Sequence, residues 1–264
     1  MSAFELLELE RSGAAATVTL NRPGALNAWN EQLAGELDRV IAEVGREDAI
    51  RALLITGAGR AFCAGADVRE GFPATADGHW DIHTRLVGPH HRVIVGLREL
   101  AKPVVAAVNG PAAGIGCSLA LACDLVLAAE SAYFLLAFVN IGLAPDGGAS
   151  AFVPARAGLG RATEMALLGE PVPAPKAREW GLANEVVPDC ELASRASELT
   201  QRLAAGPTHA YAAVKRELNA WAYSQLAGQL ALEADEQQLL AATHDNAEGV
   251  AAFRDKRAPN FLGR

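Results

Sequence analysis

The sequence predicts an α/β fold in which a sheet covered on both faces is followed by a mainly helical C-terminal part. Short apolar segments recur in the first half and are separated by helical patterns, which is typical of buried strands. The second half carries mostly helical patterning. The 264 residues are 51% hydrophobic and 20% charged, a composition that allows a sizeable core and excludes general disorder.

The predicted strands are short, apolar and closed by turn residues. Asn30 is a predicted N-cap, because the apolar residues that follow it share one helical face; they are Leu33, Leu37, Val40, Ile41 and Val44. The strands are predicted at 15–20, 51–56, 103–108 and 125–129.

The second half predicts one helix after another, with Gly206 and Pro207 separating two of them. The helical patterns cover 160–169, 173–181, 191–205, 207–221 and 224–243. We therefore expect a core that carries the site in residues 1–200 and a helical region in 201–264. Because no low-complexity linker is visible, we interpret the chain as one core with a helical C-terminal part, which divide near residue 200.

The charge and the cysteines exclude several classes of protein. A net charge of −8 argues against binding to a nucleic acid backbone, which requires a basic face. We see no apolar run long enough for a transmembrane helix, and the acidic start lacks the basic residues of a signal peptide. We expect a cytoplasmic protein whose four cysteines are reduced and mostly buried.

Two glycine-rich loops follow buried strands, at 59–67 (GRAFCAGAD) and 109–118 (NGPAAGIGCS). Small residues let a ligand approach the backbone closely, and the second loop leads into an apolar helix whose first N–H groups have no partners within the helix. One N–H group from each loop would form an oxyanion hole, in which a single donor is worth roughly 3 kcal/mol. Taken singly, each loop is equally well explained as an ordinary turn.

These loops and their neighbours resemble the crotonase family, also called the enoyl-CoA hydratase/isomerase superfamily. The resemblance covers residues from about 15 to 190, and the C-terminal segments are also similar. It rests on TVTLNRPGALNAWN, LLITGAGRAFCAGADV, KPVVAAVNGPAAGIGCSLALACDLVLAAE, FVNIGLAPDGG and EWGLANEVVP.

The resemblance implies a spiral of ββα turns, a helical trimerisation region and an acyl-CoA thioester substrate. It places the oxyanion hole at the N–H groups of Ala66 and Ile115. CoA is part of the substrate, so no separate cofactor, metal or redox group is implied. The implied assembly is a homotrimer or a dimer of trimers, with neither a nucleic acid nor a membrane partner. The residues implied to grip CoA are Gly24, Ala25, Leu26, Ala64, Ala66, Asp67 and Val68.

This chain departs from the hydratases of the family at both glutamate positions. Ser118 and Phe138 stand there, and neither can move a proton to or from water at neutral pH. We therefore expect hydratase activity to be weak or absent. Asp146 fills the position that isomerases of the superfamily use, and 137–150 most resembles the ring-1,2-epoxyphenylacetyl-CoA isomerase branch.

Asp146 is therefore the predicted base. It would take a proton from the carbon next to the thioester carbonyl and return it two carbons along the chain. Apolar neighbours such as Phe138, Leu143 and Phe152 would raise its pKa toward neutrality. Without the resemblance, Pro-Asp-Gly-Gly reads as a turn, where Asp is favoured for local hydrogen bonding.

Three alternative hypotheses for the function remain. The protein could catalyse another reaction on an acyl-CoA, such as ring expansion or hydrolysis. It could also be a relative of the 4-chlorobenzoyl-CoA dehalogenases, or an acyl-CoA binder without activity. In the dehalogenase hypothesis His90 or His91 would act as the base, although a histidine on a helix rim is more often a surface residue.

We expect Asp124 to be structural and Asp67 to order its loop. Cations that could meet CoA phosphates are Lys215, Lys256 and Arg257. Residues 71–88 lack periodicity and are expected to form part of the acyl pocket.

Overall fold

The structure is a computed structural model that describes residues 4–68, 75–76 and 78–264. Its strands are β1 (Leu7–Ser12), β2 (Ala15–Leu20), β3 (Ala52–Gly57), β4 (Val104–Val108), β5 (Pro111–Ala113), β6 (Leu125–Ala129), β7 (Tyr133–Leu135), β8 (Val172–Pro173) and β9 (Glu185–Val187). The larger sheet of the described residues has the order β1-β2-β3-β4-β6-β9. Only its first pair, β1 and β2, is antiparallel. The α/β prediction is confirmed.

The helices surround this sheet and then continue as a helical C-terminal region. They are α1 (Glu31–Arg46), α2 (Ile82–Arg85), α3 (His91–Glu99), α4 (Ile115–Ala122), α5 (Ala149–Ala157), α6 (Leu159–Leu168), α7 (Ala174–Trp180), α8 (Leu192–Ala205), α9 (Thr208–Ala222), α10 (Leu226–Ala241) and α11 (His244–Asp255). No helix of the described residues is long and apolar enough to cross a membrane.

The four predicted strands correspond to β2, β3, β4 and β6. All residues of β4 are buried, as expected for a central strand with helices on both faces. The predicted N-cap is also confirmed, because the Asn30 side chain accepts a hydrogen bond from the Leu33 N–H group at the start of α1.

A second row of pairings joins successive turns of the chain. Trp29 forms a parallel bridge with Ala66, and Cys63 forms one with Ala112. Strand β5 then pairs in parallel with β7, which pairs with β8. Each strand-and-turn unit therefore lies against the next, which gives the chain a spiral course that places equivalent turns side by side.

Asp124 anchors the C-terminal helices to this core. Its carboxylate accepts hydrogen bonds from Arg98 (3.1 Å), from Lys215 on α9 (2.8 Å) and from the Val104 N–H group (2.8 Å). The structural interpretation of Asp124 is confirmed. The expectation that Lys215 meets CoA phosphates is wrong, because its ammonium group is buried in this ion pair.

Three of the four cysteines, Cys63, Cys117 and Cys123, are buried free thiols, and Cys190 is exposed. Burial raises the pKa of each of the three to about 12, so they stay protonated. The prediction of mostly buried thiols is confirmed. Their function is packing, because a protonated buried thiol behaves as a small apolar side chain.

Candidate active site

The two glycine-rich loops lie side by side. The Cys63 N–H group donates to the Pro111 carbonyl at 3.0 Å, and the Ala113 N–H group donates to the Cys63 carbonyl at 2.9 Å. These two bonds form the Cys63–Ala112 bridge. The segment that leads to Ala66 therefore runs in register with the segment that leads to Ile115.

Glycine is required where these loops meet. A Cβ atom on Gly116 would lie 2.2 Å from the Cys63 carbonyl oxygen, and one on Gly110 would lie 2.2 Å from the Arg60 carbonyl oxygen. Both contacts involve backbone atoms, which cannot move aside as a flexible side chain can. The glycines of the second loop therefore permit the close backbone approach that the sequence analysis expected.

The N–H groups of Ala66 and Ile115 are available to a ligand. Ala66 belongs to the Trp29 bridge, but the bonds of that bridge use the Trp29 and Asp67 N–H groups instead. Ile115 is the first residue of α4, where an N–H group has no partner within the helix. Neither N–H group donates to another group in the described part of the chain. Both residues line one cavity.

That cavity has a volume of about 240 Å³ and is mostly apolar. Its wall includes Trp29, Leu86, Phe138, Leu143 and Phe253. Asp146, Gln237, Arg85 and His90 supply polar groups. An apolar cavity with a few convergent polar groups is typical of a small-molecule site.

Asp146 is buried at the wall of this cavity. It precedes a turn made by Gly147 and Gly148, whose φ angles are +64° and +83°. Asp146 therefore both begins a turn, as its local sequence indicates, and lies at the cavity. The Ser118 hydroxyl donates to the Asp146 backbone carbonyl at 2.7 Å. Oδ1 of Asp146 has no hydrogen-bond partner among the described residues.

Burial is the main cause of a large rise in the pKa of the Asp146 carboxyl, to about 8. The negative charge of Glu233 raises this pKa further, while Arg85 and a hydrogen bond from Gln237 lower it. The predicted direction is therefore confirmed. Phe138 and Leu143 line the cavity with Asp146, whereas Phe152 packs behind Gly148. A carboxyl group with a pKa near the working pH can both accept and return a proton.

Glu233 and Gln237 on α10 were missed by the sequence analysis. The amide of Gln237 donates to Asp146 Oδ2 at 3.1 Å and to the Ala144 carbonyl at 2.6 Å. The Glu233 carboxylate accepts from the N–H groups of Gly148 (2.7 Å) and Ser150 (2.9 Å). Both residues belong to the polar run EADEQQ, which is typical of a solvent-exposed helix face. The sequence therefore carries no signal of their position at the site, which follows from the packing of α10.

The structure separates the two candidate histidines. His90 is buried, which corrects the surface expectation, and it lines the cavity beside Arg85. Burial, with Arg85, lowers its pKa to about 3, and burial lowers that of His91 to about 4. Both imidazoles are therefore neutral at neutral pH. His91 is not part of the cavity wall.

Of the residues expected to grip CoA, Ala64 and Val68 line the cavity with Ala66. Gly24 and Ala25 lie in a short 3₁₀ turn, and Leu26 ends it. The Leu26 carbonyl accepts a hydrogen bond from the Ala64 N–H group at 3.1 Å, which places this turn beside the first loop. The contacts of these residues with CoA stay a prediction.

The cationic candidates and Asp67 have partners or positions that bear on their predicted roles. Asp67 forms an ion pair with Arg22 at 2.9 Å, which supports a loop-ordering role. Arg257 pairs with Glu248 at 2.6 Å, and Lys256 is an exposed residue that ends α11.

Of residues 71–88, positions 71–74 and 77 lie outside the described residues. Trp80, Ile82, Arg85 and Leu86 line the cavity as expected.

Comparison with known proteins identifies the family. The model of the family "Enoyl-CoA hydratase/isomerase" matches residues 10–264. The chain belongs to the enoyl-CoA hydratase/isomerase family. It is 41% identical over 264 residues, the whole of both chains, to 1,2-epoxyphenylacetyl-CoA isomerase of Escherichia coli K12. It is 40% identical to a probable enoyl-CoA hydratase of Rhodobacter capsulatus, over 99% of this chain and 100% of that one.

Solved structures agree with this assignment. An enoyl-CoA hydratase from Mycobacterium avium subsp. paratuberculosis K-10 superposes with a TM-score of 0.89 at 38% identity, over 98% of this chain and 99% of that one. The crotonase fold expected from the resemblance is therefore confirmed. Because hydratases and isomerases both occur among relatives of the enoyl-CoA hydratase/isomerase family, the type of reaction must be argued from the site.

Proposed function

We propose that this member of the enoyl-CoA hydratase/isomerase family is an acyl-CoA isomerase, which moves a double bond or rearranges a ring by proton transfer. Asp146 takes a proton from the carbon next to the thioester carbonyl. The resulting enolate oxygen is held by the N–H groups of Ala66 and Ile115. The same carboxyl returns the proton two carbons along, so the composition of the substrate does not change.

One observation carries this proposal: a single unpaired carboxylate oxygen shares a cavity with two free backbone N–H groups. Oδ1 of Asp146 is buried without a partner among the described residues. A buried polar atom without a partner costs roughly 1–3 kcal/mol, and substrate supplies the missing contact. Isomerisation needs one group that accepts and gives a proton, which is what this cavity contains.

The two positions of the hydratase glutamates support the same conclusion. Ser118 is fully buried and uses its hydroxyl on the Asp146 carbonyl, and Phe138 adds an aromatic wall. Addition of water requires groups that activate the water and deliver its second proton. We therefore propose that hydratase activity is weak or absent.

The thioester enters past the first loop in this proposal. Gly24, Ala25 and Leu26 would line the CoA path with Ala64, Asp67 and Val68, since the 3₁₀ turn and the loop are joined by the Leu26–Ala64 hydrogen bond. CoA arrives with the substrate, so no separate cofactor takes part. The assembly proposed is a homotrimer or a dimer of trimers.

A second candidate is the dehalogenase reaction, in which the aspartate attacks an aromatic ring. The position of His90 in the cavity wall favours it. The pKa of about 3 that burial gives this imidazole weighs against it, because such a group is a weak base at neutral pH. The aromatic residue at Phe138 weighs against it, because the dehalogenases carry a tryptophan near their aspartate. Release of chloride from 4-chlorobenzoyl-CoA would distinguish this reaction from isomerisation.

The test is to incubate the purified protein with trans-3-hexenoyl-CoA and identify the product by NMR and mass spectrometry. We expect 2-hexenoyl-CoA, with no gain of water. Asp146→Asn should lower turnover by about 100-fold or more while acyl-CoA binding, measured by calorimetry, is kept.

Asp48→Asn is the matched control, because Asp48 is exposed and is not part of the cavity wall. Formation of 3-hydroxyhexanoyl-CoA would contradict the isomerase proposal and favour a hydratase. Tight acyl-CoA binding without turnover of 3-hexenoyl-CoA or a ring epoxide would favour a binder.

A further inference from the structure

The C-terminal helix α10 contacts the Asp146 segment through two side chains that lie one helical turn apart. Gln237 donates to Asp146 Oδ2 at 3.1 Å, and Glu233 accepts from the N–H groups of Gly148 and Ser150. Both side chains are buried. Burial of a charge and an amide beside an apolar cavity is costly unless their hydrogen bonds compensate for it.

We propose that Glu233 and Gln237 are positioning residues, which fix the orientation of Asp146 and set the pH range in which its Oδ1 atom exchanges a proton. The inference rests on the proposed function in one respect, namely that proton exchange at Asp146 is the chemical step. Its geometric part, two buried α10 side chains that hold the segment around Asp146 by hydrogen bonds, stands independently.

Gln237 selects which oxygen of Asp146 reacts. Its amide uses one hydrogen on Asp146 Oδ2 and the other on the Ala144 carbonyl, so the side chain is held at two points on the same segment. Oδ2 is thereby occupied, and Oδ1 is left without a partner among the described residues. The hydrogen bond also favours the ionised carboxylate.

Glu233 affects Asp146 in two ways, by its negative charge and by its hydrogen bonds to the turn that follows Asp146. Its two oxygens accept from the N–H groups at the start of α5, where the helix dipole favours a negative charge. This contact fixes the Gly147–Gly148 turn that follows Asp146. The charge of Glu233 disfavours ionisation of Asp146, whereas Arg85 on α2, which also lines the cavity, favours it. His90 beside Arg85 is neutral.

The experiment compares Glu233→Gln with Gln237→Met, which has a similar length and no donor. The titration of the Asp146 carboxyl carbon is followed by ¹³C NMR and assigned by its loss in Asp146→Asn. We expect the midpoint to fall by about one pH unit in Glu233→Gln and to rise in Gln237→Met. The pH at which kcat/KM for 3-hexenoyl-CoA reaches half its maximum should move in the same directions.

Opposite movements are the decisive result, because a merely structural role would lower activity in both variants without separating their midpoints. Glu236→Gln is the control, since Glu236 is an exposed residue of the same helix and loses the same charge. Midpoints that stay together, or move in one direction, would overturn the inference.

The NMR titration does not depend on turnover, so failure of the proposed function leaves this test intact. If the wild-type protein turns over no acyl-CoA but the midpoints separate, the positioning role stands and the isomerase proposal falls. If Gln237→Met does not fold, Gln237→Glu serves in its place. A second buried negative charge should then raise the Asp146 midpoint further than loss of the hydrogen bond alone, and an unchanged midpoint would overturn the inference.

Discussion

Asp146 is held in a position that is unfavourable for folding at neutral and alkaline pH. Burial, aided by Glu233, raises its pKa to about 8, far above the value of about 3.9 expected in an unfolded chain. Between these two pH values the folded state binds the proton and the unfolded state does not. The free energy of unfolding therefore falls as pH rises through this range.

Replacement by Asn should consequently stabilise the protein in a pH-dependent way. We expect Asp146→Asn to raise the melting temperature at pH 8.5, by an amount equivalent to a few kcal/mol, and to change it little at pH 4. Thermal unfolding followed by circular dichroism at both pH values measures this. Equal melting temperatures of the two proteins at pH 8.5 would show that Asp146 ionises as readily when folded as when unfolded.

At the scale of elements, the oxyanion hole depends on the distance between two loops. Gly116→Ala should disrupt it, because the new Cβ atom would lie 2.2 Å from the Cys63 carbonyl oxygen. Separating the loops moves Ile115 away from Ala66. We expect a loss of kcat of about 100-fold or more and a lower melting temperature.

Gly228→Ala is the matched control for this substitution. Gly228 lies in α10, and a Cβ atom there would have no neighbour within 4 Å. Alanine at such a position should stabilise the helix by roughly 0.5–1 kcal/mol. Normal activity in Gly116→Ala would mean that the loops do not form the hole together.

The elements also show what sequence patterns can predict. Strands β2, β3, β4 and β6 were predictable because their residues are apolar and end at turns. Strand β1 (LELERS) was not, because it is a largely exposed edge strand, and β8 spans two residues. Asp146 was predicted from the family resemblance, because its own Pro-Asp-Gly-Gly sequence indicates only a turn. Glu233 and Gln237 depend on the packing of α10, which no local pattern encodes. The boundary at residue 200 stays a prediction, although α10 contacts a site built by the first part.

At the scale of the whole molecule, the C-terminal helices leave an apolar strip exposed. Val214, Leu218 and Trp221 follow one another at helical spacing on α9, and Trp221 is 82% exposed. A strip of this kind indicates a contact between proteins. It supports the proposed homotrimer or dimer of trimers.

Trp221→Lys should weaken that assembly, because a charge would replace the most exposed apolar side chain of the strip. Light scattering coupled to size exclusion measures the mass, which should fall from a multiple of three chains toward that of one. Ala220→Lys is the control, since it places the same charge on another side of α9. A monomeric wild-type protein would contradict the proposed assembly, and an unchanged mass in Trp221→Lys would mean that this strip does not hold it together.

The contact between Ser118 and the Asp146 turn restricts which side chains fit at position 118. A Cβ atom on Gly147 would lie 2.3 Å from Ile115 Cδ1 and 2.9 Å from Ser118 Cβ, and the Ser118 hydroxyl already contacts the Asp146 carbonyl. A longer side chain at 118 would press against this turn, because Ser118 is fully buried beside Gly147. Restoring both hydratase glutamates takes two substitutions, at 118 and at 138, and the one at 118 would press on the turn next to Asp146 before the second glutamate is present. We therefore expect water addition to be reached from this sequence only through a variant in which the Asp146 chemistry is impaired.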